Sequence, residues 1–232
     1  MEPVLNAHRL TKTYRTGSES VVVLQDVSFH VYPGESVAII GASGSGKTTL
    51  LNLLAGLDLP DQGEIFLGPT QLNQLTENDR AYMRNRYIGL VYQDYQLLPH
   101  YTALENVLFP LEILRQTSGK KEKAQALLSK MGLSERYYHY PSMLSGGEQQ
   151  RVAIARSIVT QPLILLADEP TGNLHREASD EITTLLFEMN KTLATPMVIV
   201  THQMDLAMQC DRVYQMARGK LTPYIEKTLK PS

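Results

Sequence analysis

The chain of 232 residues has no tryptophan, a single cysteine and no run of five or more like charges. With Cys210 alone, neither an internal disulfide nor a cysteine-built zinc site can form. The residue reads as a small buried side chain near a helix end. The charge is close to balanced, 22 basic against 24 acidic side chains for a formal net charge of -2, which leaves no electrostatic footprint for nucleic acid. The opening residues, MEPVLNAHRL, lack a basic cluster followed by an apolar core, and the longest apolar runs are strand-length. Crossing a bilayer takes about 20 apolar residues, so the chain is expected neither to enter nor to span a membrane by itself. What is present is ordinary for a globular protein, with 43% hydrophobic residues available for a core.

Short apolar runs alternate with longer helical patterns, and neither a repeat nor a linker interrupts them. Ser36 to Gly41 (SVAIIG), Leu163 to Asp168 (LILLAD) and Met197 to Thr201 (MVIVT) are continuous apolar runs, the pattern of strands buried on both faces in a parallel sheet. The alternation predicts an α/β layered core. Val21 to Leu24, Val27 to Val31, Glu64 to Leu67 and Tyr87 to Tyr92 are β-prone stretches punctuated by Pro33-Gly34, Gln62-Gly63 and Gly68-Pro69; all four are expected in an antiparallel sheet beside the core. Thr76 followed by Asp79 predicts a short capped helix through Asp79 to Arg84. Residues 99–160 show no strand signal and read as helices joined at Ser118-Gly119, Gly132 and Pro141.

Gly41 to Thr48, GASGSGKT, has the spacing G-x-x-x-x-G-K-[ST] and lies between a buried strand and a helix-forming run. In such a loop glycines let the backbone turn its N–H groups around a phosphate, Lys47 reaches the β and γ phosphates, the helix dipole points at the same charge, and the Thr48 hydroxyl faces Mg²⁺. The bland alternative is a glycine-rich turn. LILLADEP delivers Asp168 and Glu169 at the end of a strand, where parallel sheets place ligands; the first is the candidate Mg²⁺ partner and the second the candidate general base. Acidic pairs also simply start helices, and Pro170 suits that. In LSGGEQQR, Ser145 and Glu148 form a capping box, so Gly146 and Gly147 fall in the first turn of a helix. Each glycine there costs about 1 kcal/mol relative to alanine, which points to close approach of a phosphate rather than to helix stability, unless the glycines are incidental to a cap.

These residues together resemble the nucleotide-binding domain of ABC transporters over nearly the whole chain: Walker A (GASGSGKTT), the signature (LSGGEQQR), Walker B (LILLADEP) and a switch histidine, His202 in IVTHQ, appear in the family's order. The resemblance implies a single ABC ATPase domain over residues 1–232. It would comprise a P-loop NTPase core with a mostly parallel sheet, an antiparallel β-subdomain (residues 1–35 and 61–92) and a helical signature subdomain (residues 94–160). It implies ATP as substrate with Mg²⁺. ATP would be bound by Tyr14 stacking on adenine, by Gly41, Ala42, Ser43, Gly44, Ser45, Gly46, Lys47, Thr48 and Thr49, and by Gln93. Thr48, Gln93 and Asp168 would hold the metal, and Glu169 and His202 would act in hydrolysis. Without the resemblance Tyr14 reads as a half-buried aromatic and Gln93 as a surface amide. It further implies a head-to-tail homodimer in which Ser145, Gly146, Gly147 and Glu148 of one copy face the Walker A loop of the other. Integral membrane subunits would be its partners, nucleic acid would not, and its place would be the cytoplasmic face of the plasma (inner) membrane.

ADEPTGNL, YIGLVYQ and LLPHYTALENV are similar to the branch of lipoprotein-releasing, MacB and FtsE proteins, whose membrane partners transmit force. Two positions depart from the family pattern, which has aspartate after TGNL, in the D-loop, and after the switch histidine; here they are His175 and Gln203. The alternatives are a non-transport ABC-type ATPase and a subunit that binds ATP with impaired hydrolysis. A P-loop kinase or GTPase leaves LSGGEQQR without a purpose. Repair-type members carry a long coiled coil between Walker A and the signature, and no sustained heptads lie between Lys47 and Ser145.

Overall fold

The computed structural model describes residues 2–17, 19–116 and 118–224; residues 225–232, which the single-domain expectation includes, lie outside it. Two long strands, β1 (Leu5–Thr16) and β2 (Glu19–Val31), form a hairpin that leads into β3 (Ser36–Ile40). A loop joins β3 to α1 (Lys47–Leu54), followed by β4 (Gln62–Leu67), β5 (Thr70–Gln71), α2 (Glu77–Tyr87) and β6 (Ile88–Tyr92). Three helices come next: α3 (Ala103–Ile113), α4 (Lys120–Lys130) and α5 (Gly146–Ile158). The chain then alternates through β7 (Ile164–Asp168), α6 (Arg176–Leu193), β8 (Met197–Thr201), α7 (Met204–Ala207), β9 (Arg212–Ala217) and β10 (Lys220–Pro223).

The central sheet has the order β10-β9-β3-β8-β7-β6, parallel from β9 to β6 with β10 antiparallel at one edge. Its apolar runs are continuous because both faces are covered. In β3, Val37 and Ile39 enter one core while Ala38 and Ile40 enter the other; Val198 and Val200 of β8 and Ile164 and Leu166 of β7 repeat the division against Met197, Ile199, Leu165 and Ala167. The first core is shared with α1 and the four-stranded antiparallel sheet β2-β1-β4-β5, the second with α3, α4, α5 and α6. Burial of these apolar side chains stabilises the fold by roughly 1.5–3 kcal/mol each for the larger aliphatics.

The expected strands at Ser36, Leu163 and Met197 are present as β3, β7 and β8, and the capped helix after Thr76 runs three residues further than expected, to Tyr87, with the Thr76 side chain accepting from the Asp79 N–H. One assignment is corrected. Tyr87 to Tyr92 does not join the antiparallel sheet: Ile88–Tyr92 pairs in parallel with β7, Ile88 opposite Ile164 and Tyr92 opposite Asp168. The reason is burial on both sides, with Ile88 in one core and Val91 in the other. The unbroken IGLV run therefore belongs with the parallel strands. This correction moves the end of the strand, and Gln93 after it, next to Asp168. Two further strands, β9 and β10, complete the sheet without having been anticipated. Ser36 fastens the start of β3 to the turn before β9, its N–H and hydroxyl both donating to Asp211 Oδ2, at 2.8 and 2.7 Å. Beside it Cys210 is buried, and loss of solvent pushes its thiol up to about 12, with the Asp211 charge adding.

Candidate active site

Parallel strands all end on the same side, so the loops after β3, β6, β7 and β8 converge at one sheet edge. They enclose a cavity of about 750 Å³. The loop after β3 supplies its floor. Gly44 and Gly46 have φ of +74° and +105°, a region that strains other residues. Gly41 is required for space: a Cβ there would lie 2.4 Å from the Met216 carbonyl oxygen. Lys47, the first residue of α1, is buried, and its Nζ donates to Gly41 O at 2.8 Å and Ala42 O at 3.0 Å. Two of the three ammonium donors are thus used to shape the loop. Gly41, Ala42, Ser43, Gly44, Gly46, Lys47, Thr48 and Thr49 line the cavity; Ser45 does not, its hydroxyl being buried beneath the loop without a protein partner.

Opposite the loop stand Asp168, Glu169 and His202. Burial raises the Asp168 carboxyl above the ordinary aspartate range, the Glu169 charge adding to the effect and a hydrogen bond with Thr48 and the Lys47 charge opposing it. A partly buried carboxylate against a hydroxyl is a pair of hard oxygen donors whose charged form a cation would favour. Glu169 sits at φ +46°, uncommon for a residue with a Cβ. Both its carboxylate oxygens are held: Oε1 pairs with His202 Nδ1 at 2.8 Å, while Oε2 accepts from Thr201 Oγ1 at 3.0 Å and from the His202 N–H at 3.3 Å. Thr201 was not picked out from the sequence; as the last apolar-strand residue before a histidine it carries no signal of its own. Gln93 lines the cavity and is bound reciprocally to the turn after Pro170, its Nε2 donating to Asn173 Oδ1 and its carbonyl accepting from Asn173 Nδ2, both at 2.9 Å.

Tyr14 stands apart from the cavity lining, at the Thr49 end, where Val23 contributes an apolar wall. The signature residues line no part of this cavity. Ser145 caps α5 as expected, with Glu148 accepting from the Ser145 N–H and hydroxyl and from Arg136 Nε, at 2.8 to 2.9 Å. These bonds hold the Glu148 carboxyl below its ordinary range, the backbone bond from Ser145 contributing most. Packing within one copy demands neither glycine. A Cβ on Gly146 would lie 2.8 Å from the Tyr95 hydroxyl, the far end of a side chain that can move aside, and one on Gly147 would make an ordinary 3.5 Å contact with Ala178. His175 is the exposed N-cap of α6 and makes no capping hydrogen bond. Gln203 accepts from the buried Thr171 hydroxyl at 2.9 Å, in the turn that ends at His175.

Known proteins share this arrangement. The lipoprotein-releasing system ATP-binding protein LolD of Pseudomonas syringae pv. tomato is 49% identical over 219 residues, 94% of this chain and 96% of that protein. The protein of the same description from Coxiella burnetii is 45% identical over 227 residues, 97% of each. Among solved structures, the dimeric post-hydrolysis ATP-binding cassette MJ0796, bound to ADP and Pi, superposes with a TM-score of 0.88 at 35% identity, covering 98% of this chain and 100% of that one. A second dimeric structure of MJ0796, described as a bacterial ABC transporter cassette, gives 0.87 at 36% identity over 94% and 96%. Residues 24–172 match the family model described as ABC transporter; the chain belongs to the ABC transporter family.

Proposed function

We propose that this chain is the ATP-binding and ATP-hydrolysing subunit of an ABC machine of the lipoprotein-releasing type, acting as a homodimer on a separate membrane subunit at the cytoplasmic face of the inner membrane. The observation that carries the reading is the convergence of a glycine cradle and Lys47 with Asp168, Glu169 and His202 around one cavity. The cargo class comes from the similarity to LolD proteins. No described helix is long and apolar enough to cross a membrane, so a membrane role needs a partner.

In this reading the backbone N–H groups of Ser43 to Thr48 and the Lys47 ammonium bind the β and γ phosphates. Thr48, Asp168 and Gln93 would hold Mg²⁺, which supplies charge neutralisation for the phosphates when bound. Glu169, its carboxylate fixed on both oxygens, accepts a hydrogen bond from the water that attacks the γ-phosphorus and orients it in line with the departing ADP. His202 lines the same cavity and pairs with Glu169 through Nδ1; doubly protonated, it would also donate from Nε2 to a γ-phosphate oxygen. Ser145 and Gly147 of the second copy complete the phosphate site from outside.

For the membrane partner, the segments Asp94–Tyr101 and Arg136–Met143 are adjacent: the Ala103 and Leu104 N–H groups donate to His139 O and Tyr137 O at 2.8 and 2.9 Å. Buried Asn106 fixes the first segment through Leu98, Tyr101 and Thr102. Tyr101, Tyr138, Tyr140 and Met143 are left exposed there, and form the surface for a helix of the membrane subunit. The test is phosphate release from MgATP by the purified chain, with Lys47→Ala expected to weaken ATP binding at least tenfold, about 1.4 kcal/mol. Unchanged ATP affinity in that variant contradicts the phosphate-loop assignment, and tight ATP binding without release in the parent supports the binding-only alternative.

A further inference from the structure

Outside the cavity lining, beside its Thr49 end, stand three side chains that the phosphate chemistry does not use. Tyr14, on β1, is 39% exposed, and its hydroxyl donates to Asp58 Oδ2 at 2.8 Å. The other oxygen of Asp58, in the segment after α1, accepts from Lys12 Nζ at 2.8 Å and from the Leu59 N–H at 2.7 Å. Lys12 lies two positions before Tyr14 on the same side of β1, only 8% exposed. Its ammonium also donates to the Leu59 carbonyl at 2.7 Å and sits 5.1 Å from the centroid of the Tyr14 ring. Both carboxylate oxygens of Asp58 are therefore committed, one to the ring and one to the buried cation beside it.

A surface tyrosine would ordinarily swing about its side-chain torsions, and a base that stacks on it would have to immobilise it. Here the ring is fastened at its far end before any ligand arrives. Burial pushes the Asp58 carboxyl up, but the hydrogen bonds from Lys12, Tyr14 and Leu59 outweigh it and hold the group below the ordinary aspartate range, so the acceptor is ionised throughout neutral pH. We infer that Asp58, backed by Lys12, is a positioning residue for the nucleotide base: it grips the Tyr14 hydroxyl, pre-sets the ring as a stacking platform and so governs affinity for the base end of a nucleotide independently of its phosphates. This rests on the nucleotide reading above and adds to it the residues that make the base end selective.

Calorimetric titration of the full chain with ATP and with inorganic tripolyphosphate, each with Mg²⁺, separates the two ends. Tyr14→Phe keeps the ring and the Lys12–Asp58 pair and removes only the tether; Asp58→Ala removes the tether from the other side. Each is expected to weaken ATP by roughly three- to tenfold, the worth of one hydrogen bond, and to leave tripolyphosphate unchanged. In a Tyr14→Ala background, Asp58→Ala is expected to have no further effect on ATP. Parent-like ATP affinity in Tyr14→Phe overturns the inference, as does equal weakening of both ligands in Asp58→Ala. A parent that binds both ligands equally tightly has no base subsite, which overturns the inference and spares the phosphate loop. A parent that binds neither overturns the nucleotide reading and the inference with it.

Discussion

Thr201 has a role in this site out of proportion to its side chain. It is fully buried, donates its one hydroxyl proton to Glu169 and accepts the Gln203 N–H at 3.0 Å, so the carboxylate and the start of the following turn share one atom. Thr201→Val keeps the shape and removes both bonds. Steady-state hydrolysis is expected to show kcat reduced by roughly tenfold with KM unchanged, since a misplaced base slows the chemical step and not binding, and Thr201→Ser is expected to restore most of it. A fall in kcat that Thr201→Ser does not relieve would mean that the packing of the methyl group matters instead. His175 is a second residue-scale case. At the N-cap of α6 it satisfies none of the first-turn N–H groups with its side chain, whereas aspartate there is among the best caps, worth about 1 kcal/mol. His175→Asp is therefore expected to raise the melting temperature in thermal denaturation, and an unchanged melting temperature would show that the cap contributes nothing here. Gln203, the second position where aspartate is replaced, is joined to Thr171 in the turn that ends at His175. Coupling between His175→Asp and Gln203→Asp would thus run through that turn, and strict additivity would show that it does not transmit.

At the scale of elements, the junction between β3 and the turn before β9 gives an acid-sensitive contact. Hydrogen bonds from the Ser36 hydroxyl and N–H hold the Asp211 carboxyl below its ordinary range against a smaller effect of burial. A carboxyl depressed in the folded chain contributes stability above the unfolded value, near 3.9, and loses it as pH falls through that value and below. Chemical denaturation of Asp211→Asn is expected to show lower stability than the parent at pH 7 and a gap that closes toward pH 3; a gap that is constant with pH would assign the loss to packing. Which elements were legible in the sequence follows from their burial. β3, β7 and β8 announce themselves as unbroken apolar runs because both faces are covered. β6 obeys the same rule and is as long as β3, β7 and β8, but it follows a polar helix, so turn signals and aromatic residues outweighed its IGLV core. β9 alternates, with Tyr214 and Met216 inward and Gln215 and Ala217 outward, and β10 buries none of its four residues, in a stretch without strong turn residues before Gly219. In the site, motif spacing located Lys47, Asp168, Glu169 and His202. It could not locate Asp58, Thr201 or Asn173, whose partners Tyr14, Glu169 and Gln93 lie far away in sequence and whose importance comes only from what the fold brings to them. Gly146 and Gly147 were legible as glycines that helix stability does not favour, and no backbone atom of the same chain crowds either of them.

For the molecule as a whole, the proposed function requires two half-sites on one chain. The cavity beside β3 and β7 holds phosphate-binding and acidic groups, and the N-terminus of α5, with Gly147 unconstrained by its own chain, contributes nothing to it. Two copies arranged head to tail would join each cavity to the other copy's α5, with ATP as the shared contact, and hydrolysis would dissolve the joint. A ligand that binds only the paired form draws copies together by mass action. Glu169→Gln keeps the phosphate loop, the Lys47 ammonium and the oxygens of Asp168 while removing the charged acceptor for the attacking water. The most direct measurement is size-exclusion chromatography of this variant with and without MgATP, alongside its rate of phosphate release. The expected result is a variant that no longer releases phosphate and elutes as a dimer with MgATP and as a monomer without it; a variant that stays monomeric with bound ATP, or that hydrolyses at the parent rate, rules out a site shared between two copies.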